Sequence, residues 1–142
     1  MKRSEALAIL SRDHHHALVV AQKLTRAADG GAEAARRSFL DYWAAEGRHH
    51  FQLEEELLLP AYATHGDARH PLVLQVLGDH VAIRAQAARL VAAPEATAEA
   101  LHELGTALAA HVRLEERELF PVIEEAIPPQ ELHDLAVALD HA

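Results

Sequence analysis

Four apolar stripes, each advancing in steps of three and four residues, constrain this chain more than any other feature. The first runs Leu7, Leu10, His14, Ala17, Ala21 and Leu24, and the third Val73, Val76, His80, Ile83, Ala87 and Leu90. The second, from about Glu33, runs Phe39, Trp43, Glu46, His50, Glu54 and Leu57. The fourth runs Leu101, Leu104, Leu108, His111, Glu115, Leu119 and Val122. This spacing gathers side chains on one face of an α-helix, and nothing in the chain alternates with the period of a strand. Breakers separate the stripes at Asp29-Gly30-Gly31, from Thr64-His65-Gly66-Asp67 to His70-Pro71, at Ala92-Ala93-Pro94, and at Pro128-Pro129. The expected fold is all-α: an up-down-up-down antiparallel four-helix bundle, with residues 130–139 as a short C-terminal helical extension. At 142 residues the chain makes one domain, residues 1–142.

Composition narrows the function classes. A net charge of −9 argues against the basic face that nucleic acid or an anionic membrane requires. No apolar run approaches the ~20 residues of a membrane span, and no signal-peptide core is present, so a soluble, cytoplasmic protein is expected. Without cysteine there are no disulfides, thiolate metal sites or cysteine nucleophiles.

The anomaly is chemical. Each stripe carries a histidine at its middle, and two also carry a glutamate, although charged groups are rarely buried unless paired or bound to metal. His50-Phe51-Gln52-Leu53-Glu54-Glu55-Glu56-Leu57-Leu58-Leu59-Pro60 and the stretch from His111 to Pro121 share the frame H-x-x-L-E-E-x-x-L-x-P, 61 residues apart. Asp13-His14 and Asp79-His80 match as well, so the chain reads as a duplicated helical hairpin. Residues four apart on a helix share a face, which lets an imidazole and a carboxylate converge on one cation. Counted at about 1.5 Å per residue from the turns, His14, His50, Glu54, His80, His111 and Glu115 fall in one layer. Two cations sharing the glutamates would each receive two nitrogens and two bridging oxygens. That donor set suits first-row transition metals better than calcium or magnesium.

A lone histidine on an apolar stripe is usually a satisfied core residue; four on four stripes, two with repeated glutamate partners, read as metal ligands. Glu55, Glu56, Glu116 and Glu118 are expected on solvated helix faces. Asp13 and Asp79 either hydrogen-bond the outer nitrogen of a ligating histidine or lie at the surface. Phe39 and Trp43 are expected in the core, and Tyr42 in the core or beside the site. His15, His16, His49, His65, His70, His102, His133 and His141 are expected to be exposed, and Pro60 and Pro121 to bend or end their helices. A rival set, Glu46 with His49 and Glu99 with His102, has the Glu-x-x-His spacing of ferritin-like bundles, but Glu99 and His102 lie off their stripe.

With these residues the chain resembles the hemerythrin-like proteins, the HHE cation-binding domains, over roughly residues 4 to 127. Asp13-His14, His50-x-x-x-Glu54 with Pro60, Asp79-His80, and His111-x-x-x-Glu115 with Phe120-Pro121 fall where that family's ligands fall. The resemblance implies a non-haem di-iron site, two iron ions joined by an oxo or hydroxo bridge. Oxygen-carrying members add a histidine one turn from the third-helix ligand; here Val76 and Arg84 stand there. The set is similar to the four-histidine, two-glutamate branch, which implies sensing of nitric oxide, peroxide, dioxygen or iron, or repair of iron centres, rather than oxygen carriage. Binding or sensing of a small oxidant (dioxygen, nitric oxide or peroxide) is the expected function. Two other functions fit the same residues: a di-iron enzyme decomposing peroxide or nitric oxide, with Tyr42 and Glu46 as the nearby acid/base candidates, and iron storage or delivery.

Overall fold

The computed structural model describes residues 3–93 and 96–142. Five helices account for nearly all of it, and no strand forms among the described residues. Helix α1 is Glu5–Thr25, started by Ser4, whose hydroxyl accepts from the Leu7 N–H. A short 3-10 turn at Asp29–Gly31 leads into α2, residues 32–63. Helix α3, Pro71–Ala92, opens with proline at its first position, where no N–H is needed; His70 caps it by accepting from the Leu72 N–H. Helix α4 covers residues 98–126 and begins at Thr97, which accepts from the Ala100 N–H. The expected C-terminal extension is α5, Pro129–His141. The expected turn at Ala92-Ala93-Pro94 falls partly outside the described residues.

Contacts between neighbours fix the antiparallel order. Just before α1, Arg3 meets Glu124 and Glu116 of α4, and toward its far end Ala21 and Leu24 meet Gly105. Asp13 and His16 of α1 meet His50 and Glu46 of α2, and Arg36 and Glu55 of α2 meet Leu90 and His80 of α3. Helix α5 closes one end, with Leu135, Ala136 and Leu139 packed among Ala6, Leu7 and Leu10.

The apolar core is split. One cluster holds Val20, Leu24, Phe39, Phe51, Ile83, Leu104 and Leu108. The other holds Leu7, Leu10, Leu58, Val76, Leu119, Phe120 and Ile123. On each of α1 to α4 the sequence passes from one cluster to the other through a buried polar residue: His14, then His50 with Glu54, His80, and His111 with Glu115.

Helices α2 and α4 do not keep a plain α-helical period. Three turns are wider by one residue, each closed by an N–H bonding the carbonyl five residues back: Arg48 to Trp43, Leu59 to Glu54, and Phe120 to Glu115. Such π-turns shift the buried face by one position. Gly47, Leu58 and Ile123 are buried where the uninterrupted period pointed to Glu46, Leu57 and Val122, of which Glu46 is exposed and the other two half-buried. Two of the turns directly precede Pro60 and Pro121. A helical proline has no N–H and crowds the carbonyl one turn back; the widened turn relieves that crowding. Both helices therefore continue past their prolines, to Ala63 and Ala126, instead of ending there.

Helices α1 and α4 approach closely at Gly105, where an added Cβ would lie 2.7 Å from the Ala21 carbonyl oxygen and 2.8 Å from Leu24 Cβ. Gly78, exposed within α3, has nothing within 4 Å. Gly105→Val should therefore lower the unfolding free energy by about 1–3 kcal/mol through overpacking. Gly78→Ala should raise it by about 0.5–1 kcal/mol through helix propensity. Urea titration of the metal-free protein reads both, and the reverse order would contradict this packing.

Candidate metal centre

All six residues picked out by the stripes are buried, none more than 4% exposed, and Glu54 and Glu115 are at 0%. The i to i+4 spacing does on each helix what it should. His50 Nε2 lies 3.3 Å from Glu54, and His111 Nε2 lies 3.3 Å from Glu115. The single histidines arrive from the facing helices: His14 Nε2 is 2.9 Å from Glu115, and His80 Nε2 is 3.2 Å from Glu54. Two overlapping groups result, His14, His50, Glu54 and Glu115, and Glu54, His80, His111 and Glu115. In each group one donor atom per residue lies within 4.8 Å of all the others. The two carboxylates belong to both.

Each histidine is held from behind by a carboxylate. The Nδ1 of His50 pairs with Asp13 at 3.0 Å and that of His111 with Asp79 at 3.1 Å. The Nδ1 of His14 pairs with Glu116 at 2.8 Å and that of His80 with Glu55 at 2.7 Å. A carboxylate only accepts, so each Nδ1 carries a proton and donates it outward, which turns Nε2 inward. There Nε2 is an N–H toward the glutamates when the ring is charged, and a lone pair once a cation displaces that proton. Asp13 and Asp79 thus take the outer-nitrogen role rather than the surface one. Glu55 and Glu116, expected on solvated faces, correct the sequence reading: each follows the inward glutamate by one residue and reaches the single histidine of the facing helix. The doubled glutamate in both copies of the frame was the available signal. Glu56 and Glu118 are exposed as expected.

Rings seal the layer. Phe51 stacks on His80 with centroids 3.8 Å apart and meets His111 edge-on, and Phe120 stacks on His14 at 5.4 Å. Trp43, half-buried, abuts Phe51 edge-on, and the Arg84 guanidinium lies over both of those rings. The rival set does not assemble: Glu46, His49 and Glu99 are exposed, and Glu46 bonds His16 at the surface. Tyr42 joins the core cluster with Phe39. His70 and His102, expected to be free at the surface, are half-buried and structural: one caps α3, and the other donates to the Ala27 carbonyl at 2.6 Å.

Burial acts against charge throughout this layer, yet pairing outweighs it. Burial lowers the pKa of His14, His50 and His111, but the surrounding carboxylates lift all three above the usual imidazole value, His111 to about 9. Burial would raise Glu115, but the His111 ring 3.3 Å away and a hydrogen bond from His14 hold it well below the usual carboxylate range. The metal-free layer is therefore held by imidazolium–carboxylate attraction. It also leaves atoms unmatched: both Glu54 oxygens, Glu115 Oε2, His80 Nε2 and His111 Nε2 are buried with no hydrogen-bond partner among the described residues. Unsatisfied buried acceptors are costly, and inward-facing ones with two shared carboxylates form a donor set that cations would satisfy.

The model of the hemerythrin HHE cation-binding domain matches residues 5–127, from the start of α1 to just beyond α4. No curated protein and no solved structure matches.

The metal-free protein should be most stable in mildly acid solution. The histidine contribution is complete below the unfolded imidazole value of about 6.5 and is lost as pH rises, through about 9 for His111. The Glu115 contribution is present above the unfolded carboxylate value of about 4.5 and is lost below it. Thermal melts of chelator-treated protein should therefore peak between about pH 5 and 6.5 and fall by about pH 9. A melting temperature that climbs steadily to the alkaline end would contradict these pairings.

Proposed function

The chain belongs to the hemerythrin HHE cation-binding domain family, and from that membership and the layer just described we propose that it is a non-haem di-iron protein. In this reading it binds or senses a small oxidant: dioxygen, nitric oxide or peroxide. The observation that carries it is the pair of overlapping donor groups, each of two imidazoles with the same two carboxylates. His14 and His50 would hold one ion, His80 and His111 the other, and Glu54 and Glu115 would bridge them. Iron bound there would supply Lewis acidity and electrons. The chain's part is to orient the four Nε2 atoms through Asp13, Glu55, Asp79 and Glu116, and to keep water out with Phe51 and Phe120.

Binding is favoured over turnover by what lies near the layer. Glu46, one of two acid/base candidates, points to solvent and His16. The other, Tyr42, has its pKa driven upward by burial and by Glu46, Asp13, Glu54 and Glu115, so it is a poor proton donor.

Elemental analysis of protein purified with iron(II) should give two irons per chain, one for each donor group. His50→Ala and Glu115→Ala should each sharply lower bound iron, while His65→Ala, at the surface, should leave it unchanged. Equal iron in all three would overturn the assignment. Asp13→Asn and Asp79→Asn should weaken iron binding by about 10–100-fold, the usual consequence of releasing a ligating histidine. Chelator competition reads this, and unchanged affinity would remove these carboxylates from the centre.

A further inference from the structure

The duplication that builds the layer also supplies an internal comparison. In the second hairpin a cavity of about 150 Å³ opens between α3 and α4, lined by Gln75, Asp79, Ala82, Ile83, Ala107, Ala110 and His111. It reaches a residue of the layer, His111, and the carboxylate behind it. Four larger hollows on the surface, at 330–630 Å³, are lined by none of the six. In the first hairpin the positions matching Ala82, Ala107 and Ala110 are His16, Glu46 and His49. There His16 Nδ1 and Glu46 are bonded across the α1–α2 seam, and the Tyr42 ring sits edge-on to His16. Where one hairpin has three alanines and an opening, the other has a bonded pair at two of the matching sequence positions.

We propose that the α3–α4 opening is the approach to the centre, and that the His16–Glu46 bridge closes the equivalent approach over the other half. The inference rests on the di-iron reading and adds which ligands arrive and at which ion. The opening has room for a few water-sized molecules, each claiming about 30 Å³, so it admits a diatomic or peroxide and nothing much larger than a benzene-sized molecule. Its lining carries one carboxylate, Asp79, and no lysine or arginine. With its Nε2 given to a metal ion, His111 stays neutral, so the wall favours a neutral ligand over an anion of similar size. The ion held by His80 and His111 is the one such a ligand meets first.

Grafting the bridge tests this. Ala82 is exposed and Ala107 half-buried at the cavity wall, so Ala82→His with Ala107→Glu adds bulk without entering the core. With nitric oxide as the probe and iron(II)-loaded protein, stopped-flow absorbance should show association slowed about tenfold or more in the graft, with iron content unchanged. His16→Ala with Glu46→Ala should bind at least as fast as the parent. A second readout needs no metal: crystals of the metal-free parent under xenon pressure should hold xenon among Ala82, Ala107 and Ala110, and the graft should lose it. Parental association rates in a graft that keeps its iron, or no xenon at the opening in the parent, would overturn the proposal. If the parent takes up no iron, the di-iron reading fails, and the xenon experiment alone decides whether this is an approach.

Discussion

Two carboxylates with no exposed surface, Glu54 and Glu115, sit at the centre of a helical bundle that would otherwise be apolar there. An uncompensated buried charge costs several kcal/mol, so this pair dictates what surrounds it. Positive charge must be brought to it, either as protons on imidazoles or as cations. Four histidines, one on each bundle helix, can serve either way. Four further carboxylates behind them set the tautomer that leaves each Nε2 facing inward. The polar layer interrupts the apolar interior, so the bundle's hydrophobic stabilisation comes from two clusters, one at each end of it.

Much of this was legible in the sequence. Every stripe position on α1 and α3 is buried, because neither helix departs from its period. The six converging residues stood out because a polar residue recurred at the middle of each stripe, and the same layer followed from counting helical rise away from the turns. The misplaced stripe positions trace to one cause, the widened turns. Glu46, Leu57 and Val122 were placed by a period of 3.6 that α2 and α4 break before reaching them. Residue spacing does not encode a π-turn directly, although the shared proline six residues after Glu54 and Glu115 marks where two of them fall. Glu55 and Glu116 were missed for a different reason. On a single helix they belong to the outer face, and only the neighbouring helix brings a histidine nitrogen within reach.

The duplicated frame preserves some features and abandons others. The inward residues and the four carboxylates behind them obey the repeat. The aromatic covers do not: Phe51 corresponds to Val112, and Phe120 to Leu59. The third widened turn, at Trp43–Gly47, occurs in one copy alone; there the rings of Tyr42 and Trp43 close over a glycine whose Cβ would lie 2.8 Å from each. Symmetry is kept where charge must be balanced and relaxed where only packing is at stake. That difference gives a pseudo-symmetric donor set two unlike surroundings.

Diffraction at the iron absorption edge from crystals grown with iron(II) tests the central claim most directly. Two anomalous peaks should appear inside the bundle, one bounded by His14 and His50, the other by His80 and His111, with Glu54 and Glu115 between them. A single peak outside that layer, or an interior with none in protein that carries iron, would contradict it.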